Sequence, residues 1–155
     1  LNKEVLDIGS NIGAILMNTK CTFKYAVGVE YNKYLIKISN ELKDYLDLKN
    51  CEFYCDDFMK IELDKKFDVI LSLANHHTFD KNIDNTDLYF KKIYNLLKIN
   101  GILIFESHSP LYEKEKDLIL VLEKLKTEYE IIENGIYKFG NFFDLNRKFF
   151  IFKKK

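Results

Sequence analysis

Short runs of consecutive apolar residues alternate with helical stripes along this chain, and that alternation leaves few folds open. Val5-Leu6-Asp7-Ile8, Tyr25 to Val29, Glu52 to Cys55, Phe67 to Leu73 and Ile102 to Phe105 read as strands. Several are apolar at successive positions, the pattern of parallel strands covered on both faces. Between them, Leu35, Ile38, Leu42, Tyr45 and Leu46 share one helical face, with Lys37, Glu41, Lys43 and Asp44 turned outward. Tyr89, Ile93, Leu96 and Leu97 repeat that pattern before Asn100-Gly101, a suitable helix stop. Leu118, Val121, Leu122 and Leu125 form a third stripe. Such repetition implies right-handed crossovers and an open parallel sheet. The end differs: Glu130 to Glu133 and Lys148 to Phe152 are strands joined without a helical pattern, so the last strand is expected to run antiparallel.

Composition narrows the classes further. The 155 residues suit a single domain, residues 1–155, and 47% hydrophobic content supplies a core and excludes intrinsic disorder. Twenty-four basic residues balance twenty-four acidic ones, so bulk charge gives no drive toward nucleic acid or an anionic membrane. Arg147 is the one arginine, which leaves little capacity for planar two-point clamping of phosphate. Cys21, Cys51 and Cys55 are too few for a disulfide framework and are expected to be reduced, acting as small core hydrophobes. No run reaches the roughly eighteen apolar residues of a membrane span, and no leader pattern is seen, so a cytoplasmic domain is expected. Strand-like sequence begins within a few residues of Leu1, from which a processed chain lacking an N-terminal element is expected.

The first strand ends in Asp7-Ile8-Gly9-Ser10-Asn11-Ile12-Gly13 and runs into a helix-like segment. Gly9 permits a sharp turn, and Gly13 lets a ligand and the helix approach the backbone closely. Asp7 is placed to accept from an ammonium group or to order the loop's amides. Taken alone, the glycine pair equally describes a tight strand-to-helix turn. Glu30 closes the second strand about twenty residues later, where a carboxylate can accept both ribose hydroxyls of a nucleoside cofactor. Asp56-Asp57-Phe58 follows the third strand. Asp56 is read as a turn or cap, while Asp57 is placed to accept from an exocyclic amino group with the next amide donating to a ring nitrogen.

These residues resemble a class I S-adenosylmethionine-dependent methyltransferase, and the resemblance covers nearly the whole chain. Val5 to Gly13 is similar to the family's first motif, Glu30 to its ribose acid, and Asp57 with Phe58 to its adenine site. Phe67 to Leu73 is similar to its fourth strand, and Phe90 to Phe105 to its fourth helix, turn and fifth strand, with Asn100-Gly101 standing for the more usual Pro-Gly. Asn11 occupies a position where many members carry a third glycine. The resemblance implies a Rossmann-like, doubly wound, mostly parallel seven-stranded α/β sheet with an antiparallel final strand and helices on both faces. It also implies S-adenosyl-L-methionine as cofactor, held by Asp7, Gly9, Ser10, Asn11, Gly13, Glu30, Asp57, Phe58 and Leu73.

For chemistry, the stretch after the fourth strand, Ala74-Asn75-His76-His77-Thr78-Phe79, is best placed. Methyl transfer needs an acceptor held in line and, for oxygen or nitrogen, a base, and imidazole titrates near neutrality. His76 is the leading candidate, with His77 and Asn75 beside it; a packed or solvated histidine is the bland alternative. A metal set of His76, His77, Asp80 and His108 is not expected, because adjacent histidines cannot easily share one ion. Glu106 and His108 face the same edge, and the aromatic connection Gly135 to Asp144 is a candidate acceptor wall. Lys153-Lys154-Lys155 reads as a solvated tail. The expected activity is methyl transfer to O or N of a small-molecule or glycan-type acceptor. The alternatives are an RNA methyltransferase, a non-catalytic cofactor-binding domain, and an NAD-dependent oxidoreductase, whose G-x-G-x-x-G spacing is absent.

Overall fold

The computed structural model describes residues 2–18, 23–75, 86–107, 122–123, 125–138 and 145–155. Seven strands form one sheet: β1 (Glu4–Ile8), β2 (Tyr25–Glu30), β3 (Cys51–Cys55), β4 (Phe67–Leu73), β5 (Leu97–Glu106), β6 (Tyr129–Lys138) and β7 (Leu145–Lys154). Their spatial order is β3-β2-β1-β4-β5-β7-β6. β1 to β5 pair parallel, whereas β7 runs antiparallel to both β5 and β6, as expected of the final strand. Helix α1 (Lys33–Tyr45) lies between β2 and β3, and α2 (Thr86–Leu96) between β4 and β5.

Consecutive apolar residues on the strands serve two separate cores. Leu6, Ile8, Val27, Val29 and Ile70 face one layer, closed by Tyr89, Phe90, Ile93 and Leu96 of α2 and by Phe58. Val5, Ala26, Phe53 and Leu71 face the other, closed by Ile36 of α1 with Leu16 and Met17. Helices therefore cover both faces, and burial on each side explains why β1, β2 and β4 do not alternate with polar residues, whereas the edge strand β3 does. Among the described residues, no helix is long and apolar enough to cross a membrane.

Several expectations shift in detail. The inward face of α1 is Ile36 and Ser39, while Ile38, Tyr45 and Leu46 are exposed. Ser39 turns inward because its hydroxyl donates to Leu35 O at 3.0 Å and Asn11 O at 3.2 Å, which satisfies it where α1 crosses the first turn. Asn32 caps the helix by accepting from Tyr34 N at 3.0 Å. The segment after Gly13 makes a turn, with Met17 N donating to Gly13 O, in place of the expected helix. Likewise α2 stops at Leu96, four residues before Asn100, and Asn100 at φ 60° sits in an irregularity of β5 where pairing jumps from Phe67↔Leu97 to Val69↔Ile102.

The C-terminal lysines correct the reading of a solvated tail. Lys154 is 7% exposed, ends β7, and donates to Tyr94 O at 2.6 Å and Leu97 O at 3.0 Å, at the carboxyl end of α2. Lys155 Nζ donates to Lys126 O at 2.7 Å. β6 extends to Lys138, so the connection expected from Gly135 begins after that residue, and 139–144 lie outside the described residues. Cys51 is a buried thiol as expected, but Cys55 is exposed, because β3 is an edge strand with that end uncovered. Cys21, Leu118 and Val121 lie outside the described residues.

Candidate functional site

Strand order reverses between β1 and β4, and the chain leaves β1 at that point through the glycine turn. In open α/β sheets the diverging connections there leave a crevice beyond the carboxyl ends of the strands. Ile8 pairs with Val29 on one side and Ser72 on the other, so the tips of β1, β2 and β4 end at one level.

The turn is fixed by backbone bonds across the tip. Gly9 N and Ser10 N both donate to Val29 O, at 2.8 and 3.1 Å, and Gly13 N donates to Ser10 O at 2.8 Å. Gly9 and Gly13 take φ +70° and +75°, and Asn11 between them takes φ 52°. A side chain on Gly9 would run into Asn75 Nδ2 at 2.8 Å, and one on Gly13 into the Phe53 ring. Asn11 tolerates its left-handed conformation because its Oδ1 accepts from Ile12 N at 2.8 Å.

Two carboxyl groups meet this turn. Glu30, 7% exposed, accepts from Asn11 N through Oε2 at 3.2 Å and from Asn32 N through Oε1 at 3.0 Å. It thus joins the turn to the start of α1. Asp7, 3% exposed, lies on β1 next to Glu30. Burial, and then repulsion from Glu30, push its pKa up to about 7, with no hydrogen bond among the described residues to offset them. Ser10 adds a buried hydroxyl that has no partner among the described residues.

Asp57 opens a single turn after β3. Its Oδ1 accepts from Met59 N at 2.9 Å, its Oδ2 pairs with Lys60 at 3.2 Å, and its carbonyl accepts from Lys60 N and Ile61 N. Asp56 caps the entry by accepting from Asp57 N at 2.7 Å, the role expected for it. Phe58 places its ring in the core, 0% exposed and edge-on to Tyr89 at 5.5 Å, so its side chain does not border the crevice.

At the tip of β4, Leu73 is half-buried and Asn75 is 6% exposed. Asn75 faces inward: Nδ2 donates to Ile8 O, and Oδ1 accepts from Ser72 Oγ and Tyr89 OH, each at 3.0 Å. His76 and His77, with Asp80 and His108, lie outside the described residues. Glu106, at the tip of β5, is ion-paired with Arg147 at 2.9 Å. The structure thus brings Asp7, Gly9, Ser10, Asn11, Gly13 and Glu30 into one assembly, flanked by Leu73 and Asn75, with Asp57 on the neighbouring turn. Sequence reasoning missed Ser72 and Tyr89; a tyrosine on an apolar helical stripe was the available signal, since a buried hydroxyl needs a partner. A cavity of about 390 Å³ lies elsewhere, between the face of β2 and β3 and residues 61–65, and meets the strand tips only at Cys55 and Asp56.

Comparison with known proteins agrees with this fold. A methyltransferase-domain family matches residues 2–144. The chain is 25% identical over 130 residues to a malonyl-[acyl-carrier protein] O-methyltransferase of Bacillus cereus, covering 83% of this chain and 45% of that protein. It therefore spans under half the length of the curated relatives it matches. Among solved structures, the N-methyltransferase NodS from Bradyrhizobium japonicum in complex with S-adenosyl-L-homocysteine superposes with a TM-score of 0.82 at 14% identity, covering 99% of this chain and 79% of that chain. An S-adenosylmethionine-dependent methyltransferase from Clostridium acetobutylicum gives 0.78 at 18% identity, covering 97% and 83%. At these identities the structural likeness speaks to the fold alone.

Proposed function

Because this chain belongs to the S-adenosylmethionine-dependent methyltransferase family, we propose that it binds that cofactor at the tips of β1 to β4 and methylates an oxygen or nitrogen of a small-molecule or glycan-type acceptor. The observation that carries the reading is the convergence of the buried Asp7 and Glu30 carboxyls on the glycine turn at the switch point.

The residues present fit the cofactor's polar groups. Each Glu30 oxygen accepts one backbone amide and keeps a second lone pair, enough to take ribose hydroxyls. The Asp7 carboxyl is matched by an ammonium, and the unpartnered Ser10 hydroxyl by a further polar group. The absence of side chains at Gly9 and Gly13 lets Asn75 and the Phe53 ring pack directly against the turn and hold its backbone in place. Asp57 is the acceptor for an exocyclic amino group. When bound, S-adenosylmethionine supplies a methyl group already activated by its sulfonium.

The chain's own residues then hold the acceptor, exclude water and take a proton. An O–H or N–H acceptor has to lose one, and His76 is the assigned base, with His77 beside it. Asn75, the residue before them in sequence, has its amide committed to Ile8 O. Small acceptors are favoured over RNA because the chain is neutral overall and Lys154 and Lys155 of its terminal lysine run are engaged with backbone carbonyls. The test is calorimetric titration with S-adenosylmethionine, S-adenosylhomocysteine and NAD, followed by transfer of labelled methyl from the cofactor to a panel of hydroxyl, amine and RNA acceptors. Saturable binding of the first two without NAD, and label on a small acceptor, is the expected result. NAD binding alone, or label on RNA alone, overturns it.

A further inference from the structure

The turn after β3 is held at both ends, and only one of those ends is local. Asp57 caps its start through Met59 N and Lys60, as described above. The other end presents carbonyls, and Lys92 reaches them from α2: its Nζ donates to Ile61 O at 2.5 Å and Met59 O at 3.3 Å. The same ammonium stands 5.2 Å from the Phe58 ring centroid. A half-buried lysine that spends its donors on backbone carbonyls 31 and 33 residues away fixes a loop rather than solubilises a helix.

We infer that Lys92 is a positioning residue for purine recognition: it clamps Met59 and Ile61 so that the Asp57 carboxylate is held where it accepts the exocyclic amino group of the cofactor's adenine. This rests on the assignment of Asp57 to the adenine. Lys92 itself touches no part of the ligand. Asp57 and Lys92 work on one short segment from opposite ends, so release of the distal carbonyls lets the turn shift and misaims the carboxylate. The ribose and amino-acid ends, held by Glu30 and Asp7 on other strands, are independent of it. Burial already lowers the pKa of Lys92, against the pull of Glu62, Asp57 and Asp56, which agrees with an ammonium withdrawn from water into the loop.

The experiment compares binding of S-adenosylhomocysteine with S-inosylhomocysteine, which carries a carbonyl in place of the exocyclic amino group. The chain is expected to prefer the adenosyl ligand by about tenfold or more, the range of a hydrogen bond to a charged acceptor. Lys92→Met keeps the aliphatic stem but not the donor. It should lower affinity for the adenosyl ligand by about tenfold and leave the inosyl affinity nearly unchanged, so that the preference collapses. Lys92→Arg should restore it. Should Lys92→Met not fold, Lys92→Gln, a shorter neutral donor, is expected to show the same collapse. A preference retained in the variants, or a loss equal for both ligands, overturns the role of Lys92. Failure of the unaltered chain to bind S-adenosylhomocysteine overturns the cofactor assignment and this inference with it. Adenosyl binding by the unaltered chain without any preference over the inosyl ligand overturns the Asp57 assignment on which Lys92 depends.

Discussion

Glu30 Oε2 accepts the backbone amide of Asn11 at 3.2 Å, tying the tip of β2 to the turn that leaves β1. A group proposed to bind ribose is thus also a strut of the loop beneath it. Glu30→Gln keeps a carbonyl oxygen for one of the two amides but loses the charge and one acceptor. The expected outcome is a fall in S-adenosylmethionine affinity of about tenfold or more, from charged hydrogen bonds lost to the ligand. Thermal unfolding should stay cooperative. Unchanged affinity in the titration removes Glu30 from the site.

Gly9 tests the turn itself. At φ +70°, with Asn75 Nδ2 only 2.8 Å from where a Cβ would stand, alanine suffers both backbone strain and overlap. Gly9→Ala is expected to cost about 2 to 4 kcal/mol in urea unfolding, summing left-handed strain and overpacking. A cost near zero means that the turn adopts another conformation.

The Ser72–Asn75–Tyr89 cluster separates structural from chemical roles at the tip of β4. Tyr89 OH donates to Asn75 Oδ1 and lies 2.8 Å from Ser72 Oγ, all buried. Tyr89→Phe should cost about 1 to 3 kcal/mol in urea unfolding, the range for stranding buried hydrogen-bonding partners. It should leave S-adenosylhomocysteine affinity within about twofold, because no ligand group is assigned to this hydroxyl. Asn75→Ala additionally takes the donor from Ile8 O beneath the glycine turn, so it should lower stability and affinity together. A variant with normal stability and affinity but slow methyl transfer would return Asn75 to the chemistry.

What was legible in the sequence follows the range of the forces involved. Strands β1, β2 and β4 were readable because two-sided burial leaves consecutive apolar residues, a local pattern. The positions of Asp7, Gly9 and Glu30 at the strand ends and turn were readable because strand tips and turns are also local. The face of α1 was misjudged because the second acceptor of Ser39, Asn11 O, is supplied only by the glycine turn packed beside the helix. Lys154 was misjudged for the same reason: its burial depends on carbonyls of Tyr94 and Leu97, 60 and 57 residues away. Lys92, 31 residues or more from its carbonyl partners, leaves no mark in any spacing rule. The family resemblance supplied the cofactor, but no sequence pattern defines the acceptor, because loops rather than the sheet decide it.

Asp7 makes the site sensitive to pH. Its pKa rises from an ordinary carboxylate value of 3.8 to about 7 in the folded chain, with burial first and Glu30 second as causes. The folded state therefore holds a proton that the unfolded state has lost between these values. Its stabilising contribution is complete below pH 4 and is lost as pH rises through 7, for roughly 4 kcal/mol in total. Asp7→Asn, neutral at every pH, should flatten that fall, seen as a melting temperature that no longer declines between pH 5 and 8. Cofactor binding has the opposite dependence. An ammonium group prefers the ionised carboxylate, so affinity should rise with pH up to about 7 and then level, and binding near pH 6 should release a proton. Calorimetry at pH 6 in two buffers of different ionisation enthalpy reads that proton directly. Its absence, or its persistence in Asp7→Asn, shows that another group faces the ammonium.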